Sequence, residues 1–531
     1  MFRVIIRNAV SNWVGYLVQA ALALLLTPFV LGTLGAAQYG VWALIIGLTG
    51  YYGLLDLGIR AGLTQYMTRH LANRDFAQLN RTASTGVVAL AGCGGFILIT
   101  SLGLAIAAPR LFHLPLGSEQ EVGWALAING CAIALQFPLF PYSAVFAATQ
   151  RFDIANLIGI TTRVATALAT FYTLSADHGL IGLSVVVAGG NVLDYALRWL
   201  VAYSILPELR VAPRLANLKS CWEFLHFGLW NVVIGGSNRL LLYSGAILIG
   251  LLLPAAAIAP YAVASSLINY FTELFVPLGA VFFPMATELD AQNQVEGLRS
   301  LYLFGAKMLV LLAAPLALLA GFWAEDFFRL WLGSAADSDM PSACANLFHL
   351  LLIGAVLNSS QRVSYQILLA TRRLKLLAVL FACEALVATT LALCMIPWLG
   401  VYGAAVGSVL PALVFQGIVH PAVVNRLVQV PWRHYLVTVW LRSLLVTALL
   451  TVVLMIIRLA PVSTWSHLLI QGAAGGAAAL TLMALVGLSR EQRRRFLFGP
   501  LKRRLWRPQP GEGNEPRPQS QRTARSAVRV G

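Results

Sequence analysis

The stretch NWVGYLVQAALALLLTPFVLG, residues 12–32, contains no charged side chain. A helix that crosses the hydrocarbon core of a bilayer needs roughly 20 apolar residues, and this stretch supplies them. Arg3 and Arg7 precede it, as basic residues precede the core of a signal peptide, but the stretch is of spanning length and lacks a convincing cleavage site. We therefore predict that it is retained as the first membrane-spanning helix.

The composition of the whole chain agrees with this prediction. Of 531 residues, 59% are hydrophobic and 11% are charged, whereas a soluble protein carries about a quarter charged residues. These values exclude a cytosolic enzyme, a secreted domain and, despite the net charge of +16, a nucleic-acid-binding protein. The six cysteines form no CxxC pair, so the sequence indicates neither a metal site nor a disulfide framework, and we expect no cofactor.

Apolar windows predict an all-α polytopic membrane protein with about 14 transmembrane helices. We call these predicted helices spans 1 to 14. The first seven are 12–32, 39–59, 84–108, 121–148, 154–174, 179–206 and 224–252. The second seven are 258–284, 300–322, 341–369, 376–396, 401–424, 436–458 and 466–488.

The distribution of basic residues predicts the orientation in the membrane. If the N-terminus is cytoplasmic, most of the 37 Lys and Arg residues lie in cytoplasmic loops or in the C-terminal tail. The opposite side then holds only Arg110, Arg329 and Arg458. Because cytoplasmic loops carry the excess of basic residues, we expect both termini to be cytoplasmic.

The chain resembles itself at an offset of about 222 residues. Tyr39 corresponds to Tyr261, and the Leu57-Gly58 pair corresponds to Leu278-Gly279. This period equals six spans, an even number, so the two copies enter the membrane from the same side. Such parallel repeats commonly place a substrate site between the halves, with access alternating from side to side.

The repeat defines the expected domains. We predict an N-terminal six-helix lobe, a cytoplasmic linker, a C-terminal six-helix lobe, two additional helices, and a basic, disordered cytoplasmic tail that can also contact anionic lipids. Their residues are 1–206, 207–223, 224–424, 425–489 and 490–531 respectively.

Ionisable residues at the depth of the bilayer are the candidate functional residues, because they are costly to place there. Arg239 in span 7 and Glu273 in span 8 lie on consecutive spans at similar depth, with Asn238 and Asn269 nearby. They either form a structural ion pair or line a hydrated cavity. In a cavity, Arg239 would bind an anionic group such as a phosphate, and Glu273 would support it or take up a cation.

Other intramembrane charges have more local explanations. Arg163 and Glu384 lie at middle depth in spans 5 and 11, and we include Arg163 among the candidate cavity residues. Asp194 and Arg198 are four residues apart and favour a structural pair. Asp56 is expected to pair with the arginine four residues later, but together with Glu273 it is also a candidate for ion coupling. A GxxxxGK[ST] segment and an HExxH motif are both absent, which argues against an ATP-driven pump and a metalloprotease.

Three segments are similar to a known family: LLLTPFVLGTLGAAQYGVWALI, YYGLLDLGIRAGLTQYMTRHLA and AATQRFDIANLI. They resemble the polysaccharide (O-antigen-type) flippases of the multidrug/oligosaccharidyl-lipid/polysaccharide exporter superfamily. The resemblance implies two six-helix lobes in a V and a central cavity lined largely by spans 1, 2, 7 and 8. It also implies a bacterial inner-membrane protein that is not an enzyme and has no catalytic residues.

The substrate implied by the resemblance is a polyprenyl-diphosphate-linked oligosaccharide, moved to the outer leaflet by alternating access. Membrane lipids and a polysaccharide polymerase or other assembly proteins are the implied partners. Within the superfamily, the lipid II flippase branch looks like it relies on arginines in its first helix, whereas this chain has no charge between Arg7 and Asp56. Drug exporters typically use a carboxylate in the N-terminal lobe, for which Asp56 and Asp194 are the candidates. Both branches stay open, as do a membrane-embedded glycosyltransferase or polymerase and a non-transporting scaffold.

Overall fold

The computed structural model describes residues 2–56, 58–489 and 492, and within these residues every regular element is a helix. The expected all-α fold is therefore confirmed. The proposed basic tail, 490–531, lies outside the described residues except for Gln492.

The helices of the N-terminal half are α1 Phe2–Gly50, α2 Ile59–Ala72, α3 Phe76–Leu111, α4 Glu119–Gln136, α5 Phe140–Ala148, α6 Phe152–Ser175 and α7 Gly179–Ile205. Those of the C-terminal half begin with α8 Leu218–Leu252, α9 Ile258–Glu273, α10 Val276–Ala280, α11 Phe282–Ala291, α12 Val295–Phe322 and α13 Ala324–Leu332. They continue with α14 Met340–Ser360, α15 Arg362–Ala370, α16 Leu374–Leu399, α17 Val401–Val414 and α18 His420–Leu427. The last three are α19 Trp432–Tyr435, α20 Arg442–Ile457 and α21 Trp465–Leu482.

Thirteen segments of the described residues are long and apolar enough to cross a membrane, and the first of them, Ser11–Leu54, accounts for two predicted spans. A straight helix of 44 residues would be about 66 Å long, more than twice the hydrocarbon thickness. The helix is broken at Gly35, whose φ of 76° and ψ of 166° are accessible to glycine almost alone. The predicted count of about 14 is therefore confirmed.

The chain reverses direction at Gly35, as neighbouring contacts show. Before it, Phe29 stacks on Phe171 of α6 with ring centroids 4.5 Å apart. After it, a Cβ on Gly47 would lie 3.5 Å from Ile247 of α8. The arm before Gly35 thus packs on α6 and the arm after it on α8, and the first arm also contacts α9 and α13, so α1 lies between the two halves of the chain.

Helices α2 and α13 have no counterpart among the predicted spans. Helix α2 follows Gly58, whose φ of 77° ends the preceding apolar segment. Helix α13 is strongly amphipathic and carries Glu325 and Arg329, which form an ion pair of 2.9 Å. Both helices are too short and too polar for a search based on apolar length.

The last two long helices cover the C-terminal half. Helix α20 packs against α12, and α21 packs against α20 and α12. A buried hydrogen bond of 3.0 Å from Trp323 Nε1 to Gln471 Oε1 fixes α21 in this position. The proposed linker, 207–223, contains the short 3-10 helix Pro213–Leu215 and the beginning of α8.

Candidate functional site

A cavity of about 870 Å³ lies between the two halves of the molecule. Both arms of α1 contribute to its wall, together with α6 and α7 from the first half and α8 and α9 from the second. The arms of α1 with α8 and α9 correspond to spans 1, 2, 7 and 8, the wall that the family resemblance implies. Helices α6 and α7 extend the wall and supply its charged side chains.

The cavity wall is mixed, with aliphatic side chains between many hydroxyl and amide groups. A surface of this kind can replace water around a hydrated ligand without a fixed set of contacts. The polar uncharged residues that line it are Gln19, Thr27, Tyr39, Gln136, Ser143, Thr162, Thr166, Thr170, Asn191, Tyr195, Tyr243, Tyr261, Ser265, Ser266, Asn269 and Tyr270.

Arg163 is the cavity cation that has no carboxylate partner among the described residues. Helix α6 presents its exposed side chain to the cavity, close enough to Tyr270 of α9 to interact with it electrostatically. Asn269, the neighbour of Tyr270, also lines the cavity. The structure thus brings together two of the sequence candidates, Arg163 and Asn269, from opposite lobes.

Asp194 and Arg198 of α7 form the predicted ion pair, with Arg198 Nε 2.6 Å from Asp194 Oδ2. Thr162 Oγ1 donates to Asp194 Oδ1 at 3.1 Å, and Arg198 Nη2 donates to the carbonyl oxygen of Ala155 at 3.2 Å. The pair lines the cavity, but its charges neutralise each other. Arg163 is consequently left as one net positive charge on the wall.

The structure does not bring Arg239 and Glu273 together. Arg239 Nη1 donates to the carbonyl oxygen of Gly50, and its guanidinium packs over Gly53, where a side chain would collide with it. Glu273 is exposed, and the ion pairs of the described residues include none between it and Arg239. Neither residue lines the cavity, nor does the exposed Asn238.

Asp56, a candidate for ion coupling, is engaged locally. Its Oδ2 lies 3.5 Å from Nε of Arg60, and its Oδ1 accepts from the backbone N–H of Gly58 at 2.9 Å. The Arg60 guanidinium also lies over the ring of Phe137, 4.3 Å from the centroid. The local pairing expected from the sequence is therefore present.

Most of the polar wall is not predicted by the intramembrane charges, but the sequence of α7 carries one signal of it. Asn191, Asp194, Tyr195 and Arg198 recur at intervals of three and four residues, so they share one face of α7. A polar stripe of this kind within an apolar helix indicates a face that does not contact lipid.

The fold, helical bundles around a polar central cavity, is similar to that of solved transporters of the multidrug/oligosaccharidyl-lipid/polysaccharide (MOP) superfamily. One similar solved structure is an inward-facing multidrug resistance MATE family transporter of the MOP superfamily, with a TM-score of 0.69, 13% identity and coverage of 77% of this chain and 94% of that one. Another is the lipid II flippase MurJ in an inward closed conformation, with a TM-score of 0.69, 12% identity and coverage of 90% and 98%. At these identities the likeness shows the fold alone.

Sequence comparison gives the family. The family model described as polysaccharide biosynthesis protein matches residues 33–338, more than half of the chain, so the chain belongs to this family. A Shigella flexneri protein described as an O-antigen transporter is 22% identical over 422 residues, 78% of this chain and 97% of the relative. The Bacillus subtilis (strain 168) membrane protein EpsK is 22% identical over 344 residues, 63% of this chain and 66% of the relative. The family resemblance drawn from the sequence motifs is confirmed.

Proposed function

We propose that this protein moves a polyprenyl-diphosphate-linked oligosaccharide across the bacterial cytoplasmic membrane by alternating access. The family and the relative described as an O-antigen transporter support a lipid-linked polysaccharide precursor as substrate. The physical need is clear, because a diphosphate and a hydrated sugar cannot cross hydrocarbon without replacement of their hydration. The polar cavity between the lobes offers that replacement, while the polyprenyl tail stays in lipid.

The observation that carries the proposal is Arg163 in the cavity. A guanidinium can donate two parallel hydrogen bonds to phosphate oxygens, and here it has no carboxylate partner to compete with the ligand. Asn269 and Tyr270 face it from the other lobe and provide further polar groups. Among the described residues of the cavity wall the one carboxylate, Asp194, is already paired, which favours an anionic ligand over a cationic drug.

Several contacts join the two halves of the chain toward the end of the bundle where α1 reverses. We propose that this end is closed and faces away from the cytoplasm. Trp331 Nε1 donates to the carbonyl oxygen of Leu24 at 2.7 Å. The backbone N–H of His113 donates to the carbonyl oxygen of Gly250 at 3.3 Å, and Gly40 packs closely on the carbonyl of Ala255. Opening this end while closing the other would complete the transport cycle, with both termini cytoplasmic.

Flipping in proteoliposomes tests the cavity assignment. A fluorescent polyprenyl-diphosphate oligosaccharide is placed in both leaflets, and a membrane-impermeant quencher reports the rate of exchange. We expect Arg163→Ala to slow flipping at least about tenfold, because a charge-assisted hydrogen bond contributes about 1.5–3 kcal/mol. Arg163→Lys should retain part of the rate, and Arg329→Ala, on the exposed surface of α13, should match the wild type. If the Arg163→Ala variant flips lipid at the wild-type rate, Arg163 does not bind the diphosphate.

Arg239 has a different proposed role, as a tie between α8 and the end of α1. We expect Arg239→Ala to fold and to slow flipping less than Arg163→Ala does, because its guanidinium contacts the backbone rather than the cavity. If Arg239→Ala abolishes flipping while Arg163→Ala does not, the anion site lies at Arg239.

Cells that lack the protein separate transport from synthesis. We expect complete lipid-linked repeat units to accumulate in the cytoplasmic leaflet while the surface polysaccharide is lost. Absent or truncated units would instead indicate a glycosyltransferase or polymerase. Normal lipids with altered drug sensitivity would indicate a drug exporter.

A further inference from the structure

A second ionisable site lies inside the C-terminal lobe, away from the central cavity. Glu384 of α16 is 1% exposed and His420 of α18 is fully buried, and neither lines the cavity. His420 Nε2 lies 3.6 Å from Glu384 Oε2, beyond a normal hydrogen bond. Gln416 Nε2 donates to the other carboxylate oxygen, Oε1, at 2.6 Å.

Several polar atoms of this cluster have no partner. Glu384 Oε2, Gln416 Oε1 and both ring nitrogens of His420 are buried without a hydrogen bond. Buried polar atoms are nearly always satisfied, so several unsatisfied atoms on three neighbouring side chains indicate an exchangeable ligand or a functional constraint. Two aromatic rings, Tyr365 and Phe381, enclose the imidazole at centroid distances of 5.3 Å and 5.7 Å and exclude a bulky ligand.

A π-helical turn positions Gln416 and His420 beside Glu384. Phe415–Val419 forms a π-helical turn between α17 and α18, a feature frequent at functional sites. Gln416 and His420 are four residues apart across this turn, so both side chains face α16, which packs against α17. Pro421, directly after His420, has no N–H to extend the regular hydrogen-bond pattern.

Other charged groups around the pair do not neutralise it. No Lys or Arg nitrogen of the described residues lies within 4.0 Å of the Glu384 carboxylate. Arg362 of α15 lies near Tyr365, which interacts electrostatically with Glu384. On α8, which packs along α16, the charged side chain of the described part is Arg239, directed at Gly50. The remaining charges on α16 and α18 are Lys375, near Trp230, and Arg426, in the last turn of α18.

A buried carboxylate without a cationic partner costs several kcal/mol, and a proton held by the pair removes that cost. The proton can sit on Glu384, leaving both groups neutral, or on His420, producing an ion pair. We propose that Glu384 and His420 form a proton-binding pair within the C-terminal lobe. If the proposed transport function holds, the same pair, rather than Glu273 or Asp56, couples flipping to a proton gradient.

Infrared spectroscopy of the purified full-length protein in lipid nanodiscs tests proton binding without any substrate. We expect a carboxylic C=O band at the high frequency of a buried carboxyl group, distinct from the band of the exposed carboxyls, and an imidazole ring band that changes together with it when the buffer is taken from acidic to alkaline. Glu384→Gln should remove the carboxylic band and uncouple the imidazole change, and His420→Gln should shift the carboxylic band. Glu325→Gln, at an exposed carboxylate of α13, should leave both unchanged.

Either of two results would contradict the proposal that Glu384 and His420 bind a proton. In one, Glu384→Gln and His420→Gln elute as folded protein yet leave the pH-dependent bands as they are in the wild type. In the other, the bands respond to sodium ions at constant pH but not to pH, which would make the cluster a metal-cation site.

Proteoliposomes with an imposed pH gradient test coupling separately. Wild-type flipping should change at least about threefold with the gradient, whereas Glu384→Gln should flip at one rate with or without it. Gradient-dependent flipping by Glu384→Gln would overturn the coupling role. If the wild type flips no lipid, the proposed function fails while the infrared result still decides the proton site.

Discussion

The two lobes place their ionisable side chains in opposite environments. In the N-terminal lobe, Arg163 and the Asp194–Arg198 pair face the cavity, where a ligand can reach them. In the C-terminal lobe, Glu384 and His420 are sealed among helices. Among the described residues that line the cavity, the charged side chains all belong to the N-terminal half of the chain.

The spanning helices of the two halves also differ in how much of their surface is buried inside the protein. In the spanning helices from α3 to α7, between 22% and 39% of the most apolar window is buried inside the protein. In their counterparts from α12 to α18 the share is 44% to 56%, partly because α20 and α21 cover α12. We infer that the C-terminal lobe is the more rigid body and that the N-terminal lobe adapts to the ligand.

The largest expected effect tests this difference in packing. A Cβ at Gly407 of α17 would overlap the backbone of Ala392 of α16, whereas a Cβ at Gly189 of α7 would meet nothing within 4 Å. Gly407→Val should therefore lower the free energy of unfolding by up to about 3 kcal/mol, since overpacking costs about that much. Gly189→Val should be close to neutral. Thermal melting in detergent measures both, and equal melting temperatures would remove the packing contrast.

A smaller effect tests the contact that joins the lobes at the closed end. Trp331→Phe keeps the aromatic ring but removes the N–H that donates to Leu24. We expect a loss of about 1 kcal/mol for the closed state, or about a fivefold shift in the ratio of closed to open molecules. Distances between spin labels across this end report the shift. The exposed Trp398→Phe is the control, and an unchanged distribution in Trp331→Phe would mean that the seal lies elsewhere.

The smallest expected effect on stability is that of Asp194→Asn in the cavity. The pair with Arg198 is partly exposed, so its loss should cost less than about 1 kcal/mol. The net charge of the cavity side chains would rise from one positive charge (Arg163 plus Arg198 minus Asp194) to two. Half-maximal flipping should then need several-fold less anionic lipid, whereas Glu384→Gln should leave that concentration unchanged. Weaker binding by Asp194→Asn would mean that the pair itself forms the ligand site.

The spans could be predicted from the sequence because the length of an apolar segment is a local property of the chain. The sequence could also locate single intramembrane charges, of which Arg163 does line the cavity. It could not decide which way Arg239 and Glu273 face, since two residues at equal depth on consecutive helices can point to different neighbours. The Glu384–His420 contact escaped it for a related reason, because only the packing of α16 against α17 and the π-helical turn bring these residues together.

The joint between the two arms of α1 differs from the joint between α8 and α9. One glycine, Gly35, joins the arms of α1, whereas the short 3-10 helix Ala255–Ala257 lies between α8 and α9. The angle between the arms of α1 therefore depends on the two torsion angles of a single residue. Because both arms line the cavity, the shape of the cavity wall depends on the backbone of that one glycine.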